Sequence, residues 1–138
     1  MKNVLTHIGV SAAALFLFGI APIQAQETAK ANIPFSFHSK IASYQSGDYE
    51  VKLLSNTSQT LVLQDLTTRH SSFVPASSTI EASDKSMKRG PVLIFKCDGD
   101  CYLTEVWTSG SNGYAISHPT VSEDASVTRI VALVRSAR

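Results

Sequence analysis

Short apolar runs separated by small polar residues recur along most of the chain. The runs are rich in β-branched and aromatic residues and lack a long helical period, which indicates strands rather than helices. Turn-forming segments such as 46–48 (SGD) separate them. The predicted strands are 31–37, 49–54, 60–65, 71–74, 92–97, 101–108 and 127–134, with a shorter one at 113–116.

This pattern predicts an all-β fold, a single antiparallel barrel or sandwich of about 7–8 short strands. Two polar stretches interrupt it. Segment 75–89 is predicted to be a loop or a short helix, and segment 117–125 could hold one helical turn because Thr120 precedes Glu123 at capping-box spacing. No repeat or linker divides the sequence, so residues 26–138 are predicted to form one β domain.

The first residues have the pattern of a helical signal peptide. Lys2 is followed by an apolar run at 8–20 and by the segment APIQAQ at 21–26. Cleavage between Ala25 and Gln26 would remove residues 1–25. An uncleaved anchor is the alternative, but it needs about 20 apolar residues and this run is shorter. We therefore expect an exported protein, periplasmic or extracellular, with no stable membrane span after cleavage.

The charge balance argues against a nucleic-acid partner. The chain has 12 Lys and Arg against 11 Asp and Glu, and Lys2 is the only charged residue in the predicted leader. The remaining domain is neutral and lacks the basic surface that phosphate binding needs. The one basic cluster, Lys85, Lys88 and Arg89, is interpreted as a solvated loop beside Gly90.

The only cysteines lie on a predicted hairpin. Cys97 ends one strand, Cys101 begins the next, and a DGD loop at 98–100 joins them. In that register the two cysteines face each other across the ladder, close enough for a disulfide, which an oxidising compartment favours. A redox-active or free thiol pair is the alternative. A zinc site would need more ligands than this segment offers.

Strand alternation through the same hairpin predicts a buried face. Leu93, Phe95, Leu103, Glu105 and Trp107 would share the side of the two cysteines. A carboxyl buried there would hold its proton and could serve as an acid or a ligand contact. The alternatives for Glu105 are a basic partner or a strand end that frays into water.

The sequence carries no recognisable catalytic or metal-binding motif. His38, His70 and His118 stand in three different polar segments, without the spacing of HExxH or of clustered acids. We therefore predict no catalytic residues, no metal and no cofactor. Convergence of the three histidines in space stays an open alternative.

Four short segments together resemble a family of small exported bacterial proteins of unknown function. They are IPFSF at 33–37, GDYEV at 47–51, LIF at 93–95 and YLTEVW at 102–107. The family's strands carry I-P-F-x-F and Y-F-L-x-x-I-W motifs. The resemblance implies a compact β fold and export, and it supplies no catalytic residues.

Three functional hypotheses follow from these patterns. The leading one is an exported, non-enzymatic β domain that binds an unknown envelope or protein partner or has a structural role. The second is a small-molecule-binding barrel with a ligand between aromatic residues such as Tyr102 and Trp107. The third is a redox or hydrolytic enzyme that uses histidines and the cysteine pair.

Overall fold

The computed structural model describes residues 28–54, 58–82, 90–109 and 111–136. Within these ranges the chain contains eleven strands and no helix, so the all-β prediction is confirmed. The predicted leader 1–25, the Ala25/Gln26 bond and the basic cluster at 85–89 lie outside the described residues. The strands are β1 (Thr28–Ile33), β2 (Phe37–His38), β3 (Ser43–Tyr44), β4 (Gly47–Leu53), β5 (Thr60–Asp65), β6 (Ser71–Glu81), β7 (Val92–Asp98), β8 (Asp100–Trp107), β9 (Asn112–Ile116), β10 (Val127–Ala132) and β11 (Val134–Arg135).

Alternation of side chains explains why these segments are strands. In β1, Ala31 and Ile33 are buried while Lys30 is exposed, and in β4 the buried residues are Tyr49 and Val51. Successive side chains of a strand point to opposite faces, so each of these strands turns one apolar row to the core.

The strands form one open, mixed sheet in the order β10-β7-β8-β9-β6-β5-β4-β1-β11. Every pairing along this path is antiparallel. The hairpin of β2 and β3 lies off the path, and β2 runs parallel to β8 where His38 is opposite Tyr102. The prediction of a purely antiparallel sheet is therefore wrong at β2.

Of the two predicted architectures, barrel or sandwich, the barrel is wrong because the sheet is open. The path of paired strands ends at β10 on one side and at β11 on the other, and the described residues form no ladder between these ends. The two end strands are consecutive in the chain and are separated by Leu133 alone. Leu133 is buried, and its N–H donates to the carbonyl of Pro91 at 3.0 Å. A bend in the chain therefore joins the two sheet ends, and no hydrogen-bonded ladder closes them.

Eleven strands replace the predicted seven or eight for local reasons. Segment 31–37 divides into β1 and β2, segment 127–134 divides at Leu133, and β3 was not predicted. Strand β6 continues through Pro75 to Glu81, where a polar loop was expected. Its first half pairs with β5 and its second half with β9, with a register shift between Ala76 and Ser78. Residues 83–89 lie outside the described ranges.

The helical turn predicted in segment 117–125 is an isolated turn and not part of a helix. Residues 123–125 form a turn, and the N–H of Ser126 donates to the carbonyl of Ser122 at 3.0 Å. This i to i+4 bond is an α-turn that does not continue into a helix.

Aromatic rings fill the centre of the core. Phe37 stacks on Tyr44 with ring centroids 4.7 Å apart, and it meets Tyr49 and Phe95 edge to face at 5.4 and 5.3 Å. Such offset and edge contacts are the favoured geometries of aromatic pairs. Short strand β2 carries Phe37, so its docking against β8 places a fully buried ring at the middle of the sheet.

Candidate functional site

The β7–β8 hairpin has the predicted cysteine geometry. Cys97 is opposite Cys101 in the ladder, and their Sγ atoms are 2.07 Å apart, which is disulfide distance. Gly99 occupies the turn with a φ of 73°, a left-handed conformation that glycine adopts without steric cost. The cross-strand pairing predicted from the sequence is therefore confirmed. Both cysteines are buried.

A β-bulge in β8 overturns the predicted face of Glu105. Ile94 is opposite Glu105, yet the next residue, Phe95, is opposite Leu103, so Thr104 is the extra residue. Leu103 and Val106 therefore face the core, and Glu105 turns to the outer face of the sheet. The prediction that Glu105 lies in the core with Leu103 is wrong because strict alternation fails at the bulge.

The bulge lies where β8 changes its neighbour. The C-terminal half of β8 pairs with β9, from Glu105 opposite Ala115 to Trp107 opposite Gly113. Its N-terminal half instead meets β2 at Tyr102. A gap lies beside the bulge, and the residues at the end of β9 and directly after it border this gap.

This gap is an open groove of about 300 Å³, which we call the outer groove. Such a volume is at the lower end of small-molecule sites. Its walls are mostly polar and carry charges of both signs. It is lined by Ser77, Lys96, Thr104, Glu105, Ala115, Ile116, Ser117 and His118.

Glu105 is held in place by Trp107. The indole Nε1–H donates to Oε2 of Glu105 at 2.7 Å, and both side chains lie on the outer face. Trp107 in turn packs against Gly113, where a Cβ atom would come within 2.6 Å of the indole Cδ2. The close approach that glycine permits therefore positions the indole, and the indole orients the carboxylate at the groove.

Lys96 supplies the positive charge of the outer groove. Its Nζ lies 4.0 Å from Oε1 of Glu123, whose side chain is 88% exposed. A pair this long and this exposed contributes little to stability, because water screens it. Among the described residues no ion pair joins Lys96 to Glu105, so the two charges do not neutralise each other directly.

His118 is held by a backbone contact. Its Nδ1 lies 2.7 Å from the carbonyl oxygen of Pro119. A carbonyl oxygen can only accept, so Nδ1–H is the donor of this contact and Nε2 is left for a ligand. Across the groove, the hydroxyl of Ser77 donates to the carbonyl of Ala115 at 3.1 Å and keeps its lone pairs for a ligand donor.

An apolar pocket of about 40 Å³ adjoins the outer groove. The two cavities share Ile116 and Ser117. Ile41, Val74 and Pro75 supply most of the remaining apolar wall. We call this cavity the side pocket. A cavity of this volume holds about one water molecule or one small alkyl group.

The three histidines have separate surroundings. His118 lines the outer groove, whereas His70 is exposed in the turn after β5. His38 contacts Ser43 through Nδ1 at 2.8 Å and lies 3.8 Å from Oδ1 of Asp100 through Nε2. Among the described residues no group of three His, Cys, Asp or Glu side chains is arranged to hold a metal ion.

The contacts of His38 link two hairpins. In serine hydrolases an imidazole lies between a serine and a carboxylate, with both contacts at hydrogen-bond distance. Here the 3.8 Å approach of Asp100 exceeds that distance, and Ser43 lies exposed on a two-residue strand. The ring of His38 also lies beside that of Tyr102, with centroids 5.4 Å apart and the planes tilted by 37°. This cluster therefore fastens the β2–β3 hairpin to the β7–β8 hairpin.

The aromatic residues suggested as ligand walls lie elsewhere. Trp107 packs on Gly113, and Tyr102 packs on His38; neither lines the outer groove. Sequence reasoning missed Ser77, Lys96 and Ser117. The only signal for Lys96 was its polar side chain in an otherwise apolar strand.

Within the described ranges, no helix is long and apolar enough to cross a bilayer. The outer groove combines a fixed carboxylate, a cation and hydrogen-bonding groups around one open cavity. Comparison of the chain with protein-family models, with curated proteins and with solved structures finds no significant match.

Proposed function

We propose that this chain is an exported, non-enzymatic binding domain that holds a small polar ligand in the outer groove. The observation that carries the proposal is the carboxylate of Glu105, fixed by the indole of Trp107 at the edge of an open cavity. A fixed polar group at a cavity wall orients a ligand without losing much side-chain freedom on binding. Lys96 adds a cation to the same cavity, and His118 adds an imidazole.

The groove supports binding better than catalysis. Glu105 uses one carboxylate oxygen to hold Trp107, which suits a positioning or recognition role. The cluster that most resembles a nucleophilic site lies on other strands, and its carboxylate contact of 3.8 Å is too long to orient the imidazole of His38.

Export of the domain rests on its leader pattern and on its cysteines. Residues 1–25 have the charge and apolar order of a signal peptide, and a disulfide between Cys97 and Cys101 is consistent with an oxidising compartment. The resemblance of segments 33–37 and 102–107 to small exported bacterial proteins agrees with this proposal. Cell fractionation with N-terminal sequencing tests it, and Gln26 should be the first residue of the exported form.

Ligand binding is tested with a panel of amino acids, short peptides, sugars, nucleotides and organic acids. Two-dimensional NMR of the isotope-labelled domain should show shifts confined to the outer groove for at least one class. Glu105→Gln and Lys96→Met should weaken that binding. The matched controls are Glu50→Gln and Lys52→Met, two half-buried residues of β4 that do not line the groove. A panel that leaves every groove resonance unmoved would refute the proposal.

A further inference from the structure

The outer groove and the side pocket are adjacent cavities of different character. Ile116 and Ser117 line both, so the side pocket lies directly beside a ligand bound in the groove. The groove walls are polar and charged, whereas Ile41, Val74 and Pro75 make the side pocket apolar. The side pocket has a volume of about 40 Å³, so it accepts a methyl or a small branched alkyl group and excludes an aromatic ring.

The charges of the groove are complementary to a zwitterion. Glu105 is opposite Ile94, and Lys96 lies two residues after Ile94 on β7, so the two charges are on neighbouring strands at the bulge. Both line the outer groove, so a ligand with two charged ends can contact both of them. Oε2 of Glu105 accepts from Trp107, so Oε1 remains for a cationic group of a ligand.

The hydrogen-bonding groups around these charges match a peptide unit. The hydroxyl of Ser77 donates its hydrogen to Ala115, so its lone pairs can accept from a ligand amide N–H. Nε2 of His118 is a second hydrogen-bonding group of the same groove. Recognition of sugars and bases commonly uses exposed aromatic faces, whereas Trp107 and Tyr102 are outside the groove. A phosphate ligand would require more than the single lysine present and would be repelled by Glu105.

Building on the binding function proposed above, we propose that the ligand is a short peptide with a free ammonium group, a free carboxylate and a small aliphatic side chain. Glu105 binds the ammonium group, Lys96 binds the carboxylate, and the side pocket takes the aliphatic side chain.

The probe is L-alanyl-L-alanine, titrated into the labelled domain and followed by NMR. Shifts should occur at residues 96, 105 and 115–118. N-acetylation or C-terminal amidation of the probe should weaken binding about tenfold or more, because each removes a charge-assisted contact. Glycylglycine should bind about fourfold more weakly, because it lacks the one methyl group that the side pocket holds.

Two variants test which charged residue binds which end of the probe. Glu105→Gln should bind alanylalanine and its N-acetyl derivative equally, and Lys96→Met should bind alanylalanine and its amide equally. The amide oxygen that Glu105→Gln introduces still accepts from the indole, so the fold is preserved, and Glu50→Gln and Lys52→Met should keep the wild-type preferences. Equal binding of blocked and free probes by the wild type would overturn the inference.

The two proposals fail in different ways. If alanylalanine leaves the groove resonances unmoved while a sugar, nucleotide or organic acid shifts them, the peptide inference is wrong and the binding function stands. If no compound of the panel shifts them, both are wrong.

Discussion

Replacing Gly113 with alanine adds one methyl group where the indole of Trp107 already lies. The new Cβ would be 2.6, 2.8 and 2.9 Å from Cδ2, Cε3 and Cε2 of the ring, distances that real Cβ atoms essentially never show. Gly113 is in a strand with an ordinary φ, so alanine alone would favour the strand by roughly 0.5–1 kcal/mol. Overpacking a filled site costs about 1–3 kcal/mol. Three contacts this short favour the upper part of that range, so we expect a net loss of about 1–2 kcal/mol.

The measurement is chemical unfolding followed by circular dichroism and by fluorescence. Trp107 is the only tryptophan of the chain, so its emission reports directly on the displaced ring. The control is Trp107→Leu, which removes the ring that collides with the methyl group. In that background Gly113→Ala should cost nothing or stabilise slightly, and the coupling of the two substitutions should be at least about 1 kcal/mol.

The outcome that refutes this reasoning is a Gly113→Ala variant within about 0.5 kcal/mol of wild type with unchanged emission. It would mean that the indole has another place to lie. The anchoring of Glu105 by Trp107 would then lose its support.

Three further predictions concern the hairpin and the buried tyrosine. Replacing both Cys97 and Cys101 with alanine should cost about 2 kcal/mol by the chain-entropy relation, since the cysteines are only four positions apart, as measured by urea unfolding. Burial, the nearby charge of Asp65 and then Tyr44 raise the pKa of Tyr49 to about 12, so the free energy of unfolding should be at its full value below pH 10 and should fall as pH rises toward 12. The Tyr49→Phe variant should not show this alkaline loss. It should also be about 1 kcal/mol less stable at neutral pH, because the hydroxyl no longer donates to the carbonyl of Gln45. Backbone amides of the following turn lower the pKa of Asp65, so the free energy of unfolding of the wild type should decrease as pH falls below 3.8. The Asp65→Asn variant should show a smaller decrease over this acid range. Its Tyr49 should also have a lower pKa by ultraviolet titration, because the nearby negative charge is gone.

The elements that sequence reasoning predicted well are set by local interactions. Strand β5 has the predicted bounds 60–65, and the hairpin of β7 and β8 has the predicted turn and cysteine pairing. Both depend on alternation and on a short loop with Gly99, which neighbouring residues determine. Long-range pairing is not needed to predict them.

The elements that it missed depend on distant partners. Strand β6 passes through Pro75 because Pro75 pairs with Thr60 at the end of β5, and Ala76 then donates to the carbonyl of Gln59. The missing N–H of Pro75 therefore does not end the strand as its local preference suggests. The outer groove could not be predicted for the same reason, since its walls come from β6, β7, β8 and β9.

The bulge at Thr104 is where the fold and the candidate site depend on the same residue. Without an extra residue, β8 would place Glu105 in the core and Val106 on the outer face. Burying the charged carboxylate would cost more free energy than exposing the valine. The hydroxyl of Thr104 instead donates to the carbonyl of Ile94 at 3.1 Å and satisfies a backbone group beside the irregularity. The bulge thus lets one strand bury Val106 and still present Glu105 to the groove. It lies between the half of β8 that pairs with β2 and the half that pairs with β9.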